Sequence, residues 1–481
     1  GSFTATWTVD TQQYGTTTIT VSGASVATNM FIILPEVVSV SPTKGTIGTI
    51  VEITGTGYAA GDGLTITFGI NTNIQQATAS EHGTFSTIWT VDTQGYGTTT
   101  IIVNGISSAT NVFRILPNVC DVMPTSGTVG TIVTINGTGY TANEIITVSF
   151  GTNDSIQTAE VNLNGSFSTT WTVDTQVFGT TTITVTGAAT ATNIFQILPE
   201  VYSVIPPAGT VGTIVTIDGT GFVANDSINI IFGVNIGIQT ATVSDYGTWT
   251  AMFTVDTQAY GTTTISAMGI VSAYNRYFIM PELYIVTPTM GTVGSMITVA
   301  GSGFVAMDTL NVAFGTNNSI HMMTTNNSGW FTTTFTVDTQ GFGTTTITVS
   351  GSNTSVSAVF FILPELYEVV PSAGTVGTVV TISGTGYSAN DNITISFGTN
   401  ATIQQTTADI CGWFSTTWTV DTQEYGTTTI AATGVATAYN RFNILPEVYS
   451  VLPTSGTVGT IVTISGTGYS ANDNITISFG T

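Results

Sequence analysis

The chain has 481 residues, 27 of them acidic and only four basic (Lys44, Arg114, Arg276 and Arg441), for a net charge of −23. That imbalance argues against nucleic acid as a partner, because phosphate binding needs lysine and arginine to displace counterions, and it disfavours docking on an anionic membrane surface. Two cysteines, Cys120 and Cys411, supply neither a disulfide framework nor metal-ligand spacing, and no apolar run approaches the ~18 residues that cross a bilayer.

Taken in chain order, the first predicted element already belongs to a repeat. Val9-Asp10-Thr11-Gln12 recurs with its aspartate at Asp92, Asp174, Asp256, Asp338 and Asp421, a step of 82 residues four times and then 83. Pro42, Pro124, Pro206, Pro288, Pro371 and Pro453 keep the same step. A fixed period of this length predicts a tandem array of small domains, each with its own core. Residues 1–35 read as the C-terminal half of a unit. Residues 36–117, 118–199, 200–281, 282–364 and 365–446 read as complete units, and 447–481 as an N-terminal half. By globular size scaling each unit is roughly 30 Å across, and six in line span about 180 Å.

One unit, 118–199, represents the rest. Residues 119–123 read as a short strand closed by Pro124 and a Thr125-Ser126-Gly127 turn. Thr131-Ile132-Val133-Thr134-Ile135 alternates apolar and polar side chains, as a half-buried strand does. The loop 136–144 is dense in turn formers, and residues 146–150 resume the alternation up to Gly151. Strands over 156–163 and 166–173 flank Asn164-Gly165, a strong hairpin signal. Strands over 179–186 and 191–198 bring the expected number to seven. Short strands with turns every 8–12 residues, and no helical periodicity, predict an all-β chain of immunoglobulin-like sandwiches. Phe167 and Trp171 alternate with Thr170 and Thr172, so they are read as core rather than as a carbohydrate platform, together with Trp89, Phe253, Phe335 and Trp418.

The front half of every unit carries a more specific signature. In the last copy it runs Pro453-Thr454-Ser455-Gly456, then Ile461-Val462-Thr463-Ile464-Ser465-Gly466-Thr467-Gly468-Tyr469, and later Phe479-Gly480. This resembles the IPT/TIG immunoglobulin-like domain, which opens on a proline-x-x-glycine turn and continues into a strand ending in glycine-x-glycine-aromatic. The back half, with its Val-Asp-Thr-Gln-x-x-Gly-Thr-Thr-Thr-Ile block, is less family-like. The resemblance implies a non-catalytic extracellular module, common in tandem on prokaryotic surface proteins, and it transfers no catalytic residue.

Two sets of residues are candidates for chemistry. If sandwiches stack end to end, the Asp174 loop, the linker residue Glu200 and the Asp226 loop are expected to meet at one joint. The pattern recurs as Asp10, Glu36 and Asp62; Asp256, Glu282 and Asp308; Asp338, Glu365 and Asp391; and Asp421, Glu447 and Asp473. After Asp92 the corresponding residues are Asn118 and Glu144. Three carboxylates are hard-oxygen ligands suited to calcium. The alternative is that the aspartates cap their own turns while the glutamates are solvated. Asparagine sequons stand at Asn136, Asn153, Asn164, Asn225, Asn317, Asn326, Asn353, Asn392, Asn400 and Asn474, the pattern of a glycosylated surface chain. His82 and His321 fall in different units and form no catalytic set, and glycines such as Gly137 and Gly139 precede a strand, not the helix a phosphate loop requires.

Linkers such as Ile197-Leu198-Pro199-Glu200-Val201 are short and proline-bearing, which predicts a semi-rigid rod. The terminal pieces are complementary halves, read either as a window onto a longer array or as partners in strand exchange between molecules. The sequence thus points to a structural protein of an extracellular fibre, sheath or surface stalk, self-associating into filaments. The alternatives are an adhesin stalk whose binding tip recognises a glycan or cell-surface ligand, and a non-catalytic accessory region of a carbohydrate-active enzyme.

Overall fold

The computed structural model describes residues 1–480. Every regular element among the described residues is a β-strand. In the unit 118–199 these are β1 (Asn118–Met123), β2 (Ser126–Gly127), β3 (Ile132–Thr138), β4 (Ile145–Phe150), β5 (Asn153–Glu160), β6 (Phe167–Thr172), β7 (Gly179–Thr186) and β8 (Thr190–Ile197). They form a three-stranded sheet, β1-β3-β6, facing a five-stranded sheet, β2-β8-β7-β4-β5. The units from Glu36, Glu200, Glu282 and Glu365 repeat this order. The labels below refer to equivalent strands in all units. At the two ends, Gly15–Ser22 pairs with Val26–Ile33, and Glu447–Leu452 pairs with Thr463–Thr467.

Two expectations need correction. The unit has eight strands, not seven. After Pro124 the chain crosses to the opposite sheet, where β2 pairs in parallel with the end of β8 (Ser126 with Gln196, Gly127 with Ile197). Nor does Asn164-Gly165 close a hairpin between paired strands. Strand β5 pairs with β4 instead, Ile145 opposite Glu160 and Phe150 opposite Asn153, around a turn whose Gly151 has φ +57°. The Asn164-Gly165 turn is locally tight, with the Gly165 amide donating to the Asn162 carbonyl at 3.0 Å. It nevertheless carries the chain from one sheet to the other. Pairing decides the matter: β5 bonds to β4 and β6 to β3, in different sheets, and Ile156, Ala159, Phe167 and Trp171 pack on the core between them.

That core is aromatic at its centre. Phe150 is fully buried and meets Trp171 at 5.6 Å between ring centroids and Phe195 at 5.8 Å, in tilted and edge-on geometry. Trp171 is 6% exposed and Phe167 5%, and Trp89, Phe253, Phe335 and Trp418 are each 6% exposed, so the core assignment holds in every complete unit. One open seam between the sheets is closed by a side chain: the Asn193 amide of β8 donates to the Val119 carbonyl of β1 at 2.9 Å, where β1 bulges. Asn111, Asn275 and Asn440 make the same bond to Val37, Val201 and Leu366. In the unit 282–364 the equivalent residue is Ala358.

Tyr58, Tyr140 and Tyr387 are buried at the end of β3, where the units 200–281 and 282–364 have Phe222 and Phe304. The Tyr58 and Tyr140 hydroxyls find no hydrogen-bond partner, whereas that of Tyr387 donates to the Ala432 carbonyl at 3.1 Å. Burial raises Tyr58 to about 12 and lifts Tyr140 and Tyr387 well above the ordinary phenol. The fold therefore favours the neutral phenol. Its contribution is fully present below the unfolded value of ~10 and is lost as pH rises through the folded values. Thermal denaturation across alkaline pH is expected to show the unit 365–446 losing stability from pH ~10 upward. Tyr387→Phe moves that loss to higher pH, and the unit 282–364, with Phe304 and Phe360, serves as the internal control.

Candidate functional site at the joint between repeats

Only Leu198 and Pro199 separate the last strand of one unit from the first strand of the next. The Leu198 amide donates back to the Gly127 carbonyl at 2.9 Å, which fixes its direction. Its own carbonyl faces Gly221, the second glycine of the next unit's Gly219-Thr220-Gly221-Phe222 block. Gly221 has φ +74°, and a Cβ there would lie 2.4 Å from that oxygen. The same approach recurs between Gly57 and Leu34, Gly139 and Leu116, Gly303 and Met280, Gly386 and Leu363, and Gly468 and Leu445, at 2.3–2.5 Å. Glycine is required twice over, for the left-handed backbone and for the missing side chain.

The Val-Asp-Thr-Gln block supplies the other half of the joint. The Phe178 amide, just after Gln176, donates to the Phe222 carbonyl of the next unit at 3.0 Å. The bond recurs from Tyr14 to Tyr58, Tyr96 to Tyr140, Tyr260 to Phe304 and Phe342 to Tyr387, at 2.8–3.0 Å. A third contact comes from the turn before β6. A Cβ on Gly247 would lie 2.8 Å from the Phe222 carbonyl and 2.9 Å from Cα of Val177 in the preceding unit. Gly165 approaches Gly95 in the same way, Gly329 approaches Ala259, and Gly412 approaches Gly341. Gln176 holds the loop from below, donating to the Phe150 carbonyl at 3.4 Å and to Asp174 Oδ1 at 3.0 Å.

The candidate carboxylates do not converge. Asp10, Asp174, Asp256, Asp338 and Asp421 each accept from the glutamine two residues on, at 2.9–3.1 Å. Asp256 and Asp338 also accept from Asn235 and Asn317 of their own units. Asp62, Asp226, Asp308 and Asp391 accept from the backbone amides of Ile106, Ile270, Ser352 and Val435, at 2.6–2.7 Å, tying together two loops of one unit. Glu144 does the same with Ala188 at 2.7 Å. Glu200, Glu282, Glu365 and Glu447 are half-buried at the start of β1, while Glu36 and Asp473 are exposed. Among the described residues no three acidic, histidine or cysteine side chains form a metal-ligand group. The three carboxylates expected at each joint thus form no cluster: N–H donors within each unit bind one oxygen of most of these aspartates, while Oδ2 of Asp174 is buried without a partner.

The sequons divide by environment. Asn136 and Asn317 are half-buried, their amides donating to Asp121 at 3.1 Å and Asp338 at 2.8 Å. Asn225 donates to Asp245 at 3.0 Å, and Asn326 accepts from the backbone of its own turn. Asn153, Asn164, Asn353, Asn392, Asn400 and Asn474 stand exposed.

Residues 199–270, the unit that begins with this linker, match the family model described as the IPT/TIG domain. One repeat thus matches the IPT/TIG domain, and the chain is a tandem array of immunoglobulin-like repeats. Among solved structures, the N-terminal eight immunoglobulin domains of the Down syndrome cell adhesion molecule align over 91% of the chain at 14% identity, with a TM-score of 0.17. The chain spans 64% of the length of that eight-domain fragment. Invasin, a bacterial integrin-binding protein, aligns over 69% of the chain and 81% of its own length, at 13% identity and a TM-score of 0.18. Scores this low carry no inference about function. No curated protein matches the chain in sequence.

The joints between these immunoglobulin-like repeats rest on residues that sequence reading passed over. The glycines of the Gly-x-Gly block were legible as turn formers, but their contact with the preceding linker was not. Gly221→Ala is expected to cost about 1–3 kcal/mol from backbone strain alone. It should also increase hydrogen exchange at the Phe178 amide while leaving core amides of the unit 118–199 protected. A calcium chelator is expected to leave the melting profile unchanged, which differential scanning calorimetry with and without added calcium checks.

Proposed function

We propose that the chain is a structural rod of a prokaryotic cell surface, a length of extracellular fibre, sheath or stalk in which load passes from one immunoglobulin-like repeat to the next. The observation that supports this reading most directly is the joint: the same backbone hydrogen bond and the same glycine contacts link successive units, with only two residues of linker. Such a joint limits bending in a way that a glycine–serine spacer does not. Near-identical joints in series suit reach and stiffness, not catalysis. The exposed sequons, six of them free of the joint's hydrogen bonding, are proposed glycan attachment points that keep a sparsely charged surface hydrated. Filaments form by self-association of these rods.

An adhesin stalk is the second reading, favoured by surface aromatic pairs on the units 282–364 and 365–446. Electron microscopy of the purified full chain tests the first. Straight particles with an axial period of roughly 30 Å, gathering into filaments as concentration rises, are the expected result. Particles that fold back on themselves at variable angles between units would count against the rod.

A further inference from the structure

The units are near-copies, so a departure shared by two neighbours stands out. After the turn glycine that precedes β6, the units from Glu36, Asn118 and Glu200 carry Thr84, Ser166 and Thr248, whereas the next two carry Trp330 and Trp413. Each indole N–H donates to a tyrosine of the adjoining β1, Trp330 to Tyr284, and Trp413 to Tyr367 at 2.9 Å. The turn itself does not need the tryptophan. Asn326 and Asp409 close the two turns by accepting from the backbone amides at 3.0 and 2.9 Å. The pairs also remain open to solvent, with Tyr284 48%, Tyr367 51% and Trp413 41% exposed. A tryptophan and a tyrosine joined by one hydrogen bond at a surface, with no demand for them from the turn, point to recognition.

The ground beside them is polar in one respect. Trp330 and Tyr284 line a surface cavity of about 240 Å³ at the joint with the preceding unit, whose other walls include Val211, Thr257, Glu282 and Ser302. Ser302 is 1% exposed, and its hydroxyl has no hydrogen-bond partner. At the next joint the equivalent positions are Glu365, Tyr367, Thr385 and Trp413, and the Thr385 hydroxyl is likewise buried and unpartnered. The hydroxyl alone does not distinguish these joints, since those of Thr56 and Thr220 are also unpartnered. What sets them apart is the aromatic pair at its rim.

We propose that these two joints are binding sites for a neutral hexopyranose. The apolar C–H face of a pyranose ring carries partial positive charge and is attracted to the electron-rich face of an indole or phenol ring. Its equatorial hydroxyls require donors and acceptors, which Glu282 or Glu365 and Thr257 supply at the rim, with the unpartnered Ser302 or Thr385 hydroxyl buried beneath them. The cavity is smaller than those that bury a drug-sized ligand and matches one ring with the rest of a chain lying outside. A net charge of −23, with a carboxylate in each site, repels uronic and sialic acids and selects neutral sugars. Two related sites one repeat apart give a polymeric glycan avidity beyond that of either site. The assignment does not depend on the rod reading.

Isothermal titration of the full chain with neutral gluco-, manno-, galacto- and N-acetylglucosamine oligosaccharides, and with an oligouronide as control, tests it. The expected result is binding of at least one neutral series at two sites per chain, with quenching of tryptophan fluorescence. Trp330→Thr removes one site, and Trp330→Thr with Trp413→Thr weakens binding roughly tenfold or more. Threonine occupies this position in two other units, so the fold is preserved, and circular dichroism confirms it. Failure to bind any neutral oligosaccharide, binding of the oligouronide alone, or undiminished binding by the folded double variant would each overturn the assignment.

Discussion

Direct contact of backbone with backbone at the joint is the constraint on which the rest of the array depends. Where Gly221 meets the Leu198 carbonyl and Gly247 meets Val177, side chains are excluded, so the separation and angle of neighbouring units are set by peptide geometry. Side chains can change rotamer to absorb a misfit, whereas peptide groups in contact cannot. This explains why the recurring block in the back half of each unit is more uniform than its exposed strands. Val-Asp-Thr-Gln places a loop, Gln176 anchors it to Phe150 of its own unit, and the following residues touch the next one.

Much of the fold was legible because its causes are local. The alternation of Val133 and Ile135 with Thr134, and of Phe167 and Trp171 with threonines, reports directly which face is buried. The period itself gave the array. The hairpin reading failed because Asn164-Gly165 has the right local chemistry, and only the placement of Ile156 and Trp171 on opposite sides of one core shows that the chain must cross there. The two-residue β2 has too little sequence to signal anything, since it exists only through its pairing with Gln196 and Ile197.

The site was less legible, for a related reason. Counting charges near a boundary brings Asp174, Glu200 and Asp226 together, but it does not count the donors that compete for them. Asp226 is drawn to the Ile270 amide, 44 positions along the chain, and Asp174 to Gln176. A chain so poor in lysine and arginine meets most of its carboxylates with amides, although Oδ1 of Asp92 and Oδ2 of Asp174 stay buried without a partner. Burial of tyrosine follows the same economy of charge: Tyr140 sits where its neighbour has Phe222, a phenol treated as an apolar ring.

One replacement gives the array an uneven response to tension. Force applied along the axis enters each unit through β1 and leaves through β8, and the seam between those strands is bridged by Asn111, Asn193, Asn275 and Asn440 in four units. At Ala358 that clasp is missing, so within the unit 282–364 the first strand is retained chiefly by its ladder with β3. Of the five complete units, this is the one whose first strand lacks a side-chain bridge to β8. Under axial load on such an array, that seam is the one expected to part before its neighbours.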